Sequence, residues 1–467
     1  MAQTRRNFLR NSACALGSMA LASSIDSFGI VHALTPQAAT DYKALVCVFL
    51  NGGNDGNNML VSLDQYAQYA NARSAAQLAI AQASLLPVSP VSGGSYGFHP
   101  NMPEAQNLFN QGKLAVLCNI GPLVEPLTRT TYQNGTGKKP LQLFSHSDQV
   151  GLFQTSVANS VSQTGWGGRL ADKTNSLNGV STFPINVSIA GINLFLTGAD
   201  TRQLAVADSN TSLANVLVLN SAPGATAAEI SSRLSSFNEM RSFDNGFKLI
   251  KAASDIRSSS LQTDNALGSV SPTLATSFPN TSLGRQLKQV ALLIKAGTDP
   301  TAGINMKRQI FFTQLGGFDT HSAQINGQGN LLTQLSQAIN AFFSATVELG
   351  LQDKVTLFTM SDFGRTLQPA GSGAAAVGSD HAWGNHHLIV GGSVLGHTLY
   401  GTYPTLALGG PDDTDGGSTP RGRWIPTTSV EQYAATLATW YGLSPADLTT
   451  VFPLLGHFST SNLGFLG

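Results

Sequence analysis

An α/β fold, with a mostly parallel central sheet and helices on both faces, is what this sequence predicts. Two observations predict it. Short apolar runs that end in Gly, Asp or Asn recur along the chain, and helical stretches with apolar residues three and four apart lie between several of them. Buried strands that alternate with helices are the signature of a parallel sheet covered on both sides.

The elements follow in order. "ALVCVFL" is the first strand and leads into "NGGNDGNN". "DQYAQYANARSAAQLA" and "MPEAQNLFNQGK" read as helices, and "LAVLCNIG" as the next strand. "LQLFSHSDQVGLFQTS" is an apolar run that turns into a helical pattern after Ser145. "FPINVSIAGINLFLTG" has short alternating runs and reads as an antiparallel hairpin. A long polar helical region begins at Ala227. Ser181 to Asn280 is taken as an inserted cap or lid on one domain, because no clean linker is visible. "NTSLGRQLKQVALLIKAG" and "LLTQLSQAINAFFSATVELG" are helices. "RQIFFTQLGGFDTH", "KVTLFTMSDFG" and "HHLIVGG" are strands, and "SVEQYAATLATWYGL" is a last helix with a hydroxyl cap.

Composition narrows the class of function. The 467 residues carry 26 basic and 26 acidic side chains, and charged residues are only 11%. An average globular domain has about 25%. The surface is neutral and polar, without the basic face a nucleic-acid binder needs. No apolar run after the N-terminus is long enough for a membrane span. Cys47 and Cys118 lie in apolar runs and read as small buried hydrophobes, with a disulfide open only if their strands are neighbours.

Acids and histidines fall at strand ends. Asp55 follows the first strand, Asp319 and His321 follow "QIFFTQLGG", and Asp362 follows "VTLFTM". Asp380 and His381 precede "HHLIVGG", with His386 and His387, of which one is expected to face the core and one not. Ligands of open α/β sheets sit beyond the carboxyl ends of the strands, so these turns are expected to meet at one edge. Asp and His together suit zinc, manganese or magnesium. Each turn also has a plain reading: a lone Asp after a strand caps a helix or closes a turn. Ser145 is either a helix cap or a nucleophile, and Arg365 either clamps a phosphate or sulfate group or pairs with an acid.

"TRRNFLR", followed by a modest apolar stretch and "VHA", resembles a twin-arginine export signal spanning residues 1–33. With "FLNGGNDGNNML", "LGGFDTH", "SDFGRT" and "SDHAWGNHHLIVGG" in this order, the chain resembles a bacterial family of twin-arginine-exported proteins of unknown function. That family is grouped with the alkaline phosphatase and sulfatase superfamily. The resemblance implies an alkaline-phosphatase-like fold and a periplasmic or extracellular location. It also implies a metal site from Asp55, Asp319, His321, Asp362 and His381, with Ser145 as candidate nucleophile. The chain departs from that pattern at Phe363, where phosphatases usually have His, and His146 is a candidate replacement. Two functions follow. One is a metal-dependent hydrolase of phosphate or sulfate esters, taking a small anionic ester or an envelope glycan, with Arg365 holding the anion. The other is an inactive member of the fold that binds an envelope polymer or a protein.

Overall fold

The computed structural model describes residues 41–179, 181, 183–212, 226–242, 272–299 and 304–467. The expected export signal and part of the expected cap lie outside them.

Among the described residues fourteen strands follow in order: β1 (Lys43–Asn51), β2 (Leu60–Ser62), β3 (Leu86–Val88), β4 (Tyr96–Phe98), β5 (Leu114–Gly121), β6 (Asn186–Ser188), β7 (Gln203–Ala205), β8 (Arg308–Gly316), β9 (Val355–Ser361), β10 (Arg365–Ala370), β11 (Gly378–His381), β12 (Asn385–Val390), β13 (Leu399–Gly401) and β14 (Thr428–Ser429). Nine of them form one sheet in the order β13-β5-β12-β9-β1-β8-β6-β7, with β14 also on β5. Only β12 runs against its neighbours β5 and β9, and the other pairings are parallel.

Side chains alternate across a strand, so a strand buried along its length is covered on both faces. In β1 every residue from Ala44 to Leu50 is buried, and so is all of β9. Helices Pro103–Asn110, Ser282–Thr298 and Gln324–Glu348 pack with one another as one layer. Helices His146–Thr155, Trp166–Thr174 and Val430–Tyr441 belong to the other. The α/β fold with a mostly parallel sheet is therefore the observed one.

Three expectations change. "FPINVSIAGINLFLTG" is no antiparallel hairpin: β6 joins the central sheet parallel to β8, and β7 joins parallel to β6. Three-residue strands are too short to show a sheet period in sequence. Cys47 and Cys118 are free. Strands β12 and β9 stand between theirs, about 14 Å of sheet at three strand spacings, which no disulfide spans. His386 and His387 are both buried, because β12 is covered on both faces.

Those histidines make the fold acid-sensitive. Burial lowers His387 to about 3 and His386 to about 4, and it lowers His99 to about 4. An unfolded imidazole titrates near ~6.5. Between there and the folded values the unfolded chain binds more protons. The stabilisation from these neutral rings is therefore complete above pH ~6.5 and is lost as pH falls toward ~4. The melting temperature is expected to drop across that window, and His387→Leu is expected to flatten the drop. A pH series of melting curves checks both.

Candidate metal centre

All strands of the sheet except β12 point their carboxyl ends the same way, and β12 begins at that edge. The turn after β8 therefore brings Asp319 and His321 there. The turn after β9 brings Asp362, and the hairpin β10–β11 brings His381. The turn after β1 is pressed against the turn after β8. Gly52 has φ +116°, and a Cβ on it would lie 2.3 Å from the Asp319 amide nitrogen. Only glycine fits both the angle and the contact.

His146, Asp319, His321 and His381 each offer a ligand atom, all within 4.8 Å of one another. Asp319 Oδ1 lies 3.3 Å from His146 Nε2, 3.1 Å from His321 Nε2 and 3.7 Å from His381 Nε2. His321 Nε2 and His381 Nε2 are 2.9 Å apart. A tetrahedral zinc with ~2.0–2.1 Å bonds has ligand atoms about 3.3 Å apart, so these edges fit one ion.

The far nitrogen fixes the tautomer of two of the rings. His146 Nδ1 lies 2.7 Å from the Asp362 carboxylate, and His381 Nδ1 lies 2.8 Å from the Phe144 carbonyl. Both partners only accept, so each of these Nδ1 atoms carries the proton and each Nε2 presents a lone pair. His321 Nδ1 is 3.4 Å from Asp380 Oδ1, and its Nε2 stands 3.5 Å from Arg365 Nη1. Three imidazole nitrogens and a carboxylate then face one point. His146 Nε2 is buried and has no hydrogen-bond donor among the described residues. Arg365 reaches Asp319 Oδ1 at 2.6 Å and His321 Nε2 at 3.5 Å, but it makes no hydrogen bond to the His146 and His381 lone pairs, which a cation among the four atoms would satisfy. The donor set fits a divalent metal, and three imidazoles favour zinc over magnesium.

Electrostatics agree. Burial pushes the Asp319 carboxyl up, and the hydrogen bond and charge of Arg365 lead the effects that hold it below the usual carboxylate range, so it presents a carboxylate. Burial lowers His381 against the pull of the Phe144 carbonyl, which keeps the ring neutral and its Nε2 available. Phe144 takes a left-handed backbone, φ 72°, which is costly for a bulky residue and turns its carbonyl to His381.

The structure places the expected residues unevenly. Asp319, His321 and His381 come together, and His146 joins them. Phe363 takes no ligand role. Its ring packs 4.7 Å from His146 and 4.6 Å from His381, a wall behind both imidazoles.

Asp362 lies outside the group of four: it is fully buried, and its Oδ1 accepts the Gly52 amide while Oδ2 holds His146. Asp55 stands apart from the cluster. It caps the short helix Gly56–Met59, and its carboxylate accepts from Arg73 Nη1 at 2.6 Å and Nη2 at 3.2 Å, and from Gln324 Nε2 at 2.5 Å. No lone pair is left for a metal.

Arg365 is fully buried. It donates to the carbonyls of Gly52, Gly53, Phe318 and Ser379 and to Asp319 Oδ1, and its Nη1 stands 3.5 Å from His321 Nε2, so its donors are spent on tying the edge turns and the cluster together rather than on an anion. Ser145 precedes helix His146–Thr155, and its hydroxyl donates to Asp148 Oδ2 at 2.6 Å.

Residues 42–413 match a family described as "Protein of unknown function (DUF1501)". The chain belongs to this family. Comparison with curated proteins finds no match. Solved structures that resemble the chain do so at low scores. A Bacteroides thetaiotaomicron protein designated BT33336S-sulf has 12% identity, covers 91% of this chain and 83% of its own, and has a TM-score of 0.34. The PsFucS1 sulfatase from Pseudoalteromonas sp. has 9% identity, 86% and 68% coverage and a TM-score of 0.32. The C-terminal periplasmic domain of EcEptC from Escherichia coli, in complex with zinc, has 10% identity, 77% coverage of each chain and a TM-score of 0.29. Among the described residues, no helix is long and apolar enough to cross a membrane.

Proposed function

We propose that this is an exported hydrolase of phosphate or sulfate esters, working at a divalent-metal centre made by His146, Asp319, His321 and His381. The observation that carries the reading is the convergence of three imidazole nitrogens and one carboxylate on a point, with His146 Nε2 buried and unpartnered there and Arg365 reaching only Asp319 and His321. Export rests on the resemblance of "TRRNFLR" to a twin-arginine signal. The substrate is a small anionic ester or an envelope glycan that carries one.

A metal held there supplies positive charge to the ester oxygens as they take on negative charge. The chain's own residues do the rest. Ser145 stands at the start of helix His146–Thr155, where amide dipoles favour an anion. As its oxygen would bond to the phosphorus or sulfur, its proton would pass to Asp148 Oδ2, which already accepts it at 2.6 Å. The ester's bond to its alcohol breaks, that proton goes to the departing alcohol oxygen, and water then hydrolyses the serine ester to free phosphate or sulfate. Asp362 and Phe144 hold His146 and His381 in their working tautomers throughout.

A second reading has its own observation. Four protein ligands complete a tetrahedral shell, as in structural zinc sites, whereas catalytic zinc keeps one position open. That favours an inactive binding module. Against it, Asp319 is 51% exposed and His321 46%, so the cluster is open to solvent on one side and a fifth ligand can approach.

Hydrolysis of p-nitrophenyl phosphate and p-nitrophenyl sulfate by zinc-loaded protein separates the two. The expected result is turnover of one ester, lowered at least about 10²-fold in Ser145→Ala with metal content unchanged. Unchanged turnover in that variant removes Ser145 from the nucleophile role. Turnover of neither ester leaves the binding module.

A further inference from the structure

With Arg365 spent on backbone carbonyls, the anion of a substrate needs another cation. The described residues supply one with unused donors. Arg423 has a side chain only 13% exposed, yet its guanidinium makes no hydrogen bond among the described residues. Its one ion pair, Nη1 to Asp415 Oδ1, is long at 3.9 Å. Asp415 is already committed to Arg421, whose Nε donates to it at 2.9 Å and whose backbone amide does so at 3.2 Å. Arg423 Nε is buried without a partner, and so is the Nε of Arg129, whose Nη2 donates to the Asp415 carbonyl. A buried N–H left unpaired costs energy unless something takes it up, and a guanidinium presents its Nε–H beside its Nη donors.

Arg423 is linked to one of the candidate ligands through Phe144. Its Cζ sits 4.1 Å over the Phe144 ring, and the carbonyl of Phe144 holds His381. On the same apolar patch, Tyr132 carries Lys139 4.1 Å over its ring and packs against Trp383.

We propose that Arg423 is the residue that grips the substrate's tetrahedral oxyanion, phosphate or sulfate, with the Phe144 ring fixing the guanidinium plane. Arginine suits this through paired N–H donors matched to two oxygens of such a group. The inference rests on the ester-hydrolase reading in its choice of ligand, and its test does not depend on turnover.

The experiment is calorimetric titration of inorganic phosphate and, separately, inorganic sulfate into zinc-loaded and chelator-treated full chain. Wild type is expected to bind at least one of them, and the preferred anion identifies the ester class. Arg423→Gln is expected to weaken that binding at least about tenfold with zinc stoichiometry unchanged, and Arg423→Lys to recover part of it. Equal affinity in wild type and Arg423→Gln overturns the proposal, as does no binding of either anion by wild type. Should Arg423→Gln melt early, Arg423→Lys alone decides, because it keeps the charge and loses only the paired donors: full wild-type affinity in it overturns the proposal, and a partial loss supports it. If zinc does not bind but Arg423-dependent anion binding persists, the metal reading fails and this inference stands. If zinc binds and anion affinity ignores residue 423, the reverse holds.

Discussion

Asp55→Asn is expected to destabilise the protein by about 3–5 kcal/mol, measured by denaturant unfolding, while zinc stoichiometry in the folded fraction stays at the wild-type value. Asp55 and Arg73 are both fully buried, and their ion pair spans 2.6 Å. The remaining Arg73 donors go to the carbonyls of Thr366 and Leu367 and to Asn58 Oδ1. Neutralising Asp55 leaves a buried guanidinium without its counter-charge, and removing one partner of such a pair costs far more than the pair contributes. It also weakens the cap on helix Gly56–Met59. Pairing Asp55→Asn with Arg73→Met removes both charges and is expected to recover most of the loss. A loss under about 1 kcal/mol, or loss of metal without loss of stability, contradicts this role.

The second large effect falls on the metal. His146→Ala removes a ligand atom and is expected to abolish stoichiometric zinc binding. Asp362→Asn keeps shape but exchanges an obligate acceptor for an amide, so the tautomer of His146 is no longer fixed. Partners of metal-bound histidines typically carry about 10–100-fold of metal affinity, and that is the expected loss. Asp362→Asn with unchanged zinc affinity would show that His146 does not need the carboxylate.

The edge of the sheet was legible in sequence, because acids and histidines just after apolar runs must lie at strand ends. Which of those acids faces the centre was not. Asp55, Asp319 and Asp362 occupy similar turns, and their roles separate only through partners distant along the chain. Arg73 sits in a stretch that reads as an ordinary surface helix, and nothing near "GGNDGNN" reveals that it folds back onto Asp55. Asp362 and His146 are 216 residues apart, so the pair that makes His146 a ligand is invisible to local pattern. Arg365, next to "SDFG", looked free because its acceptors are backbone carbonyls, which leave no mark in sequence. Phe363 was the informative departure, since its ring packs against His146, which stands with Asp319, His321 and His381.

Zinc titration of chelator-treated wild-type protein beside His146→Ala tests the central claim most directly. The account predicts one tightly held zinc per wild-type chain, with affinity falling as pH drops and the imidazoles take up protons, and none held tightly by the variant. Wild-type protein that binds no zinc, or His146→Ala that binds it equally well, contradicts the centre.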